Sequence, residues 1–534
     1  MSKTTVWHNG HVWADIKTTT HAVAATDGVI VALGDQAETL ISTANEVVDL
    51  AGTSMTPGFG DGHAHPVFGG TESLYAPVRD KNTIEEVIEA VRVWAEANPD
   101  APWIRGEGYD PSIAPRGEMD AHWLDAVVSD RPIVLRAVDY HTVWVNTKAL
   151  ELAGITAATV DPHDGEITRR EDGSPMGTLR EWGAWRLVYD LLPEPIEAER
   201  VAAVKAASDY YSASGVVWAQ DAWVEQDTFT TWLAGINAGA LTFRTNLAWL
   251  AEPDNRWRSE LPNMLNNKKI ADDLRSPLIT GQTVKFFADG ILEGGTAAVL
   301  EPYTDCPHSH GIANWERQEL IEAVDAVVAA GLQPHIHAIG DAGIRNALDA
   351  FEAAREKHGD ILRPTMAHCQ LVDKADMHRF KELGVIANFE PLWAQLDPMQ
   401  LMTILRIGEE RAVQQYRMAT LLRNDASVSF GSDWPVSSGV PMQGIGIAIT
   451  RRTDAGVPEE GWVPEERLTL DEALHAYTAG VAYQANEEGQ WGEIKVGARA
   501  DVVTHTADLR DVEPMQIRNV GVSGTWLAGH RVFG

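Results

Sequence analysis

The sequence predicts an α/β chain: a (β/α)8 TIM barrel, a small β-sandwich built from both chain ends, and a cap inserted after the first barrel strand. Three observations carry this expectation. Short strand-like runs separated by turn signals occupy both ends of the chain. Eight apolar strand-like runs recur through the middle, most followed by a helical stretch. One long segment, about 70–192, breaks that rhythm after the first run.

The ends come first. Thr4–Trp7, His11–Trp13, Ala22–Ala25, Val29–Leu33 and Glu46–Asp49 read as strands, with turn pairs at Asn9-Gly10 and Asp27-Gly28. Asp501–Thr504, Asn519–Val522 and Thr525–Leu527 read alike. The expected sandwich therefore takes residues 1–55 plus 487–534, leaving 56–486 for the barrel. Its eight expected strands are Ser54–Gly60, Gly215–Ala219, Phe243–Leu247, Thr283–Ala288, Gln333–Ala338, Pro364–Cys369, Gly384–Phe389 and Ser427–Gly431. Helical patterns such as Trp315–Ala330 and Ile344–His358 lie between them. Within 70–192 the sequence suggests a helix over Thr83–Ala97, a strand over Pro132–Val138 and a hairpin-like patch over Thr159–Thr178. An insertion after the first strand emerges at the C-terminal end of a barrel, so it reads as a cap bearing on substrate choice.

Composition sets outer limits. The 534 residues are 44% hydrophobic and 22% charged, which excludes global disorder. Lys and Arg number 43 against 77 Asp and Glu, a net charge of −34 that argues against nucleic acid and anionic membranes as partners. Two cysteines, Cys306 and Cys369, are too few for a disulfide scaffold. The N-terminus lacks a continuous apolar stretch of signal-peptide type, and no apolar run reaches the ~18 residues of a membrane span. The expectation is a cytoplasmic protein acting on a small molecule, with self-association left open.

In a barrel of this type, chemistry sits at the C-terminal strand ends. Strand 1 leads into Gly58-Phe59-Gly60-Asp61-Gly62-His63-Ala64-His65, and histidines two apart share a strand face. Strand 4 carries Lys285 in Val284-Lys285-Phe286-Phe287-Ala288-Asp289-Gly290. A buried ammonium is driven toward its neutral form, which can add CO2 to make a carbamate able to bridge two cations. Strand 5 offers His335 and His337 on one face, and periodicity alone does not choose between them. Strand 6 ends in His368, and strand 8 runs into Ser432-Asp433-Trp434-Pro435. A lone histidine is more often a satisfied core residue than a ligand. Four imidazoles at neighbouring strand ends, with an amine and a carboxylate, form a nitrogen and oxygen donor set suited to zinc, and also to Mn, Fe, Co or Ni. Cys369 beside His368 reads as packing.

These motifs together resemble the amidohydrolase superfamily, and within it the Amidohydrolase-3 group of YtcJ-like metal-dependent hydrolases that includes N-substituted formamide deformylases. The likeness extends to Gly492-Glu493-Ile494-Lys495-Val496-Gly497-Ala498-Arg499-Ala500-Asp501, the expected return into the sandwich. It implies one or two divalent ions, zinc foremost, on His63, His65, His337, His368 and Asp433, with carboxylated Lys285 as bridge. It selects His337 over His335, because the family histidine directly precedes Ala-Ile-Gly-Asp. It implies hydrolysis of amides such as N-substituted formamides or N-acyl amines, with Asp433 moving the proton. His141, in a recurring subgroup segment, and Trp434 are expected at the substrate. Trp393, Trp218 and Trp144 are further candidates for an apolar pocket wall. The departures are Gly60-Asp61-Gly62 in the first motif and Val217-Trp218 on strand 2. The alternatives are a nucleobase-type deaminase, a non-catalytic binding relative and a two-carboxylate glycosidase. The first needs a glutamate where Gly340 stands, the second would lose ligands, and the third leaves the histidines unexplained.

Overall fold

The computed structural model describes residues 2–138, 142–162, 165–360 and 362–534, and the backbone alone at Trp182. The chain divides into two compact units, one of Met1–Pro66, Ala207–Thr230 and Leu241–Gly534, the other of Val67–Ala206 and Thr231–Ala240.

The first unit holds the barrel. Eight strands follow one another in chain order across one sheet, and every neighbouring pair is parallel. They are Phe59–Ala64, Val216–Val224, Arg244–Leu250, Ile279–Phe287, Gln333–Ala338, Thr365–His368, Ile386–Phe389 and Ser427–Phe430. Beyond the last strand, Asp433 N donates to His63 O at 2.8 Å and His65 N to Trp434 O at 2.7 Å, which ties the eighth strand's exit to the first strand.

One expectation needs correction. Ser54–Pro57 does not begin the barrel; it runs antiparallel to Val502–His505 in the sandwich. The chain changes sheets at Gly58, where a Cβ would lie 2.5 Å from the Val217 side chain. The barrel strand proper therefore starts at Phe59.

The sandwich comprises a four-stranded sheet and a six-stranded sheet, and the latter takes strands from both ends of the chain. Trp7, Met55, Val502 and Trp526 meet in its core, with the Trp7 and Trp526 rings edge to face at 5.5 Å. Near the C-terminus the expected strands at 519–522 and 525–527 are not separate, and a 3-10 helix, Pro514–Asn519, started by its proline, runs up to Asn519. A single strand, Val522–Leu527, follows.

The barrel interior carries a polar belt where branched aliphatic layers are common. Asn246 Nδ2 donates to Gln220 Oε1 at 2.9 Å and to Thr283 Oγ1 at 2.6 Å. Thr283 Oγ1 donates to Gln333 Oε1 at 3.1 Å, and Gln333 Nε2 to Thr365 Oγ1 at 3.3 Å. Asn388 Nδ2 donates to Ser429 Oγ at 2.9 Å, and Ser429 Oγ to Gln484 Oε1 at 2.6 Å. Gln484 Nε2 closes the run on Gly62 O at 2.7 Å. Buried amides are rarely left unpaired, and apart from Asn388 Oδ1, which has no partner among the described residues, this belt pins strand register below the histidines.

The second unit has a five-stranded sheet. Its long helix, Ile84–Ala97, is capped by Thr83, whose hydroxyl accepts from Glu86 N, and buries Val87, Val91 and Ala95. The hairpin-like patch pairs Glu166–Arg169 with Pro175–Arg180. Among the described residues no helix is long and apolar enough to cross a membrane.

Candidate metal centre

His63 and His65 lie two apart at the end of the first barrel strand, so strand alternation turns both imidazoles inward. Their ring centroids are 5.6 Å apart. His63 Nδ1 is 2.7 Å from His335 Nε2. That leaves His63 Nε2 facing Lys285 Nζ at 3.3 Å and Asp433 Oδ1 at 3.4 Å. His65 Nε2 is 2.9 Å from the same Asp433 oxygen. The His368 ring lies 4.7 Å from that of His63 and 4.6 Å from that of His337. The structure thus brings His63, His65, Lys285, His337, His368 and Asp433 together.

The two histidines of strand 5 differ in depth. Gln333, His335 and His337 share one face: Gln333 joins the polar belt, and His335 meets His63 from the next layer. His337 stands one layer higher, where its Nε2 donates to Gly290 O at 3.1 Å. On strand 6, simple alternation from inward Thr365 would turn His368 outward. A φ of +73° at His368, followed by +46° at Cys369, redirects it. Asp433 also adopts a left-handed φ, +57°. Such backbone is uncommon outside glycine and clusters at functional sites.

The motifs interlock. Asp289 accepts from Ile339 N, Gly340 N and Ala298 N at 3.0, 2.8 and 2.9 Å, which joins the strand-4 motif to the loop after His337. A Cβ on Gly340 would lie 2.0 Å from Ala298 O, so the glutamate of a deaminase does not fit there. Asp61 accepts from Ser432 N at 2.9 Å and from Tyr211 Oη at 3.0 Å, which anchors the Asp433 loop. Gly62 has no room for a side chain, since a Cβ would lie 2.3 Å from Asn388 Nδ2.

Burial dominates the electrostatics. It draws Lys285 down to about 7, against the opposing charges of Asp433 and Glu390. His63, His335 and His337 are held well below the usual histidine range, first by burial and then by neighbouring cationic groups. At Asp433 burial pushes upward, but the His65 hydrogen bond and nearby positive charge outweigh it and keep the carboxyl below its ordinary value. Neutral imidazoles beside an ionised carboxylate are the forms that ligate metals. Donor atoms of His63, His65 and Asp433 lie within 4.8 Å of one another, as do those of His63, His368 and Glu390. Ligand bonds of ~2.0–2.2 Å to one ion span separations of this order, so the residues fit a divalent cation.

Glu390 is the residue that sequence reading missed. It follows the seventh strand directly and is fully buried, with Oε2 2.8 Å from His368 Nδ1. Its signal was present, for the strand-end rule that finds Asp433 applies equally to it. The aromatic expectations divide. Trp393 stacks on the His368 ring at 5.4 Å and 5°. Trp434 stacks on Tyr210 at 4.3 Å and remains half-buried. Trp218 does not narrow a pocket; it packs in the core against Trp491. Trp144 belongs to the core of the second unit, beside Tyr109. Two half-buried rings went unnoticed: Phe287, 5.1 Å from His337, and Trp223, 6.3 Å from His65. His141 lies outside the described residues.

Comparison with known proteins places this geometry. Residues 46–533 match the Amidohydrolase family. The chain is 26% identical to YtcJ of Bacillus subtilis (strain 168), with 99% of each chain covered. It is also 26% identical to the N-substituted formamide deformylase of Arthrobacter pascens, over 95% of this chain and 94% of that one. Among solved structures, a metal-dependent hydrolase from Pyrococcus furiosus shares the fold with a TM-score of 0.74 at 24% identity, covering 96% of this chain and 100% of that one.

Proposed function

The chain belongs to the amidohydrolase family, and from that premise we propose that it is a metal-dependent hydrolase of carbon–nitrogen bonds other than peptide bonds. The substrate class is a small amide, an N-substituted formamide or N-acyl amine. One observation carries the reading: buried His63, His65 and Asp433 converge through contacts of 2.9 and 3.4 Å, with the Lys285 amine 3.3 Å from His63. His63, His65, His337, His368 and Asp433 would hold one or two divalent ions, zinc best matching the donors, with Lys285 as its carbamate a further ligand. A metal held there would supply polarisation of a carbonyl and acidification of water.

The protein's own groups do the rest. Asp433, ionised at neutral pH, accepts a proton from the attacking water and returns it to the leaving nitrogen. His335, from the layer below, holds the His63 ring so that Nε2 points into the centre. Phe287, Trp223 and Trp393 line the histidines with apolar surface, which favours an amide with an apolar or aromatic substituent. The deformylase from Arthrobacter pascens supports the formamide class. The test is a panel of N-substituted formamides, N-acyl amines and cyclic amides, assayed with chelator-treated and zinc-reloaded protein. Zinc-dependent amine release from the first two groups is expected; turnover unaffected by metal removal would refute the reading.

A further inference from the structure

We infer that Glu390 is a positioning residue that fixes how the His368 imidazole is presented to the metal, an inference that rests on the metal-dependent reading above. The seventh barrel strand, Ile386–Phe389, supplies none of the expected ligands, yet the residue that follows it is a fully buried acid. Oε2 of Glu390 lies 2.8 Å from His368 Nδ1. An ionised carboxylate only accepts, so Nδ1 is the donor and Nε2 is the nitrogen left to face a metal. That tautomer is the one able to ligate through Nε2.

The imidazole is gripped from two directions. Glu390 holds it in the ring plane, and Trp393 lies parallel to its face at 5.4 Å. Both come from one short stretch, where the 3-10 turn Pro391–Trp393 follows Glu390 immediately. The grip has a backbone reason. The φ of +73° turns the His368 side chain inward and leaves the rotation of the ring to be fixed by its partners. The second oxygen of Glu390, Oε1, is buried and has no hydrogen-bond partner among the described residues. A carboxylate buried this way is stabilised by positive charge nearby, and a dication on His368 would reach it through the imidazole. A carboxylate behind a ligating histidine fixes ring orientation and raises ligand basicity. Direct ligation by Glu390 is the competing arrangement, since its donor atoms lie within 4.8 Å of those of His63 and His368. Coordination through Oε2 would compete with its bond to Nδ1.

The experiment measures zinc affinity and stoichiometry by competition with a chromophoric chelator. It compares the wild type with Glu390→Gln, Glu390→Leu, His368→Ala and the double variant His368→Ala/Glu390→Gln. Glu390→Gln keeps the shape and an acceptor oxygen, so it reports on charge if Glu390→Leu folds poorly. The inference expects zinc affinity to fall by about 10–100-fold in the Glu390 variants. Stoichiometry stays unchanged, and Glu390→Gln has no further effect once His368 is Ala. Nitrogen-15 NMR of labelled histidines in the metal-free protein should show the His368 Nδ1–H tautomer in the wild type and its loss in Glu390→Leu. Unchanged affinity, an additive effect in the double variant, or the loss of one bound ion from Glu390→Gln would each overturn it. A wild type that binds no zinc would instead defeat the metal-dependent reading itself.

Discussion

Asp433→Asn separates proton transfer from structure. The backbone around Asp433 is held without its side chain, since Asp433 N donates to His63 O at 2.8 Å and His65 N to Trp434 O at 2.7 Å. Its φ of +57° is a conformation that Asn tolerates nearly as well as Asp. Alanine would add strain there; asparagine does not. The amide oxygen can still face His65 Nε2, which lies 2.9 Å from Oδ1. What disappears is a basic oxygen. General acid–base catalysis is worth about 10²–10⁴-fold, and at about 1.4 kcal/mol per decade that is roughly 3–5 kcal/mol of barrier. We expect kcat to fall by about that factor, with most of the metal retained on the histidines. The assay pairs kcat on the best amide from the panel with metal analysis of the same preparation. Near-normal turnover at normal metal content would show that another group moves the proton, and the role assigned to Asp433 would fall.

Three further outcomes follow from the same coordinates. Lys285→Ala should lose metal and activity together, with partial rescue by short-chain carboxylates; a fully loaded, fully active variant would remove the carbamate ligand, as would mass analysis showing an unmodified Lys285 in active protein. Burial lowers the folded-state pKa of His505 to about 4 from 6.5. The unfolded chain therefore binds a proton that the fold refuses between those values. Stability is fully present above pH 6.5 and falls by up to about 3 kcal/mol as pH drops toward 4. Denaturant titrations at pH 7 and pH 4.5 should show this decline, and His505→Gln should make it shallower, the remainder coming from buried His63, His335 and His337. Asp501→Asn breaks the pair with Arg244, at 2.7 Å and almost wholly buried, and should lower stability by about 3–5 kcal/mol; a change under about 1 kcal/mol would mean that the pair is not buried in solution.

Much of the architecture was legible in the chain because its signals are local. Apolar runs bounded by turn residues located seven of the eight barrel strands, the first being reached only at Phe59 and Gly60, and the i, i+2 spacing put His63 and His65 on one face. The strand-end rule pointed to Lys285, His368 and Asp433 before any contact was known. The polar belt was not legible, because Gln220, Asn246, Thr283 and Gln333 look like ordinary strand residues until their amides meet across neighbouring strands. Nor were the aromatic walls: the second strand runs to Val224, five residues past its expected end at Ala219, and so delivers Trp223 to the centre. Trp218 and Trp144 carry the same side chain into cores.

The strand-5 histidines mark the division. Strand alternation, a property of one chain segment, determined that His335 and His337 face the same way. Which of them stands beside His368 and which lies below, against His63, depends on the register of strand 5 with strands 4 and 6, where Lys285 is level with His335 and Ala338 with His368. Register is a relation between segments far apart in the chain. Glu390 belongs to the same class: its carboxylate acquires a role only because the sixth and seventh strands bring its oxygen to a ring nitrogen 22 residues away in sequence. Residue type and period act along the chain, whereas depth and partner arise from packing between strands, and that only the tertiary structure decides.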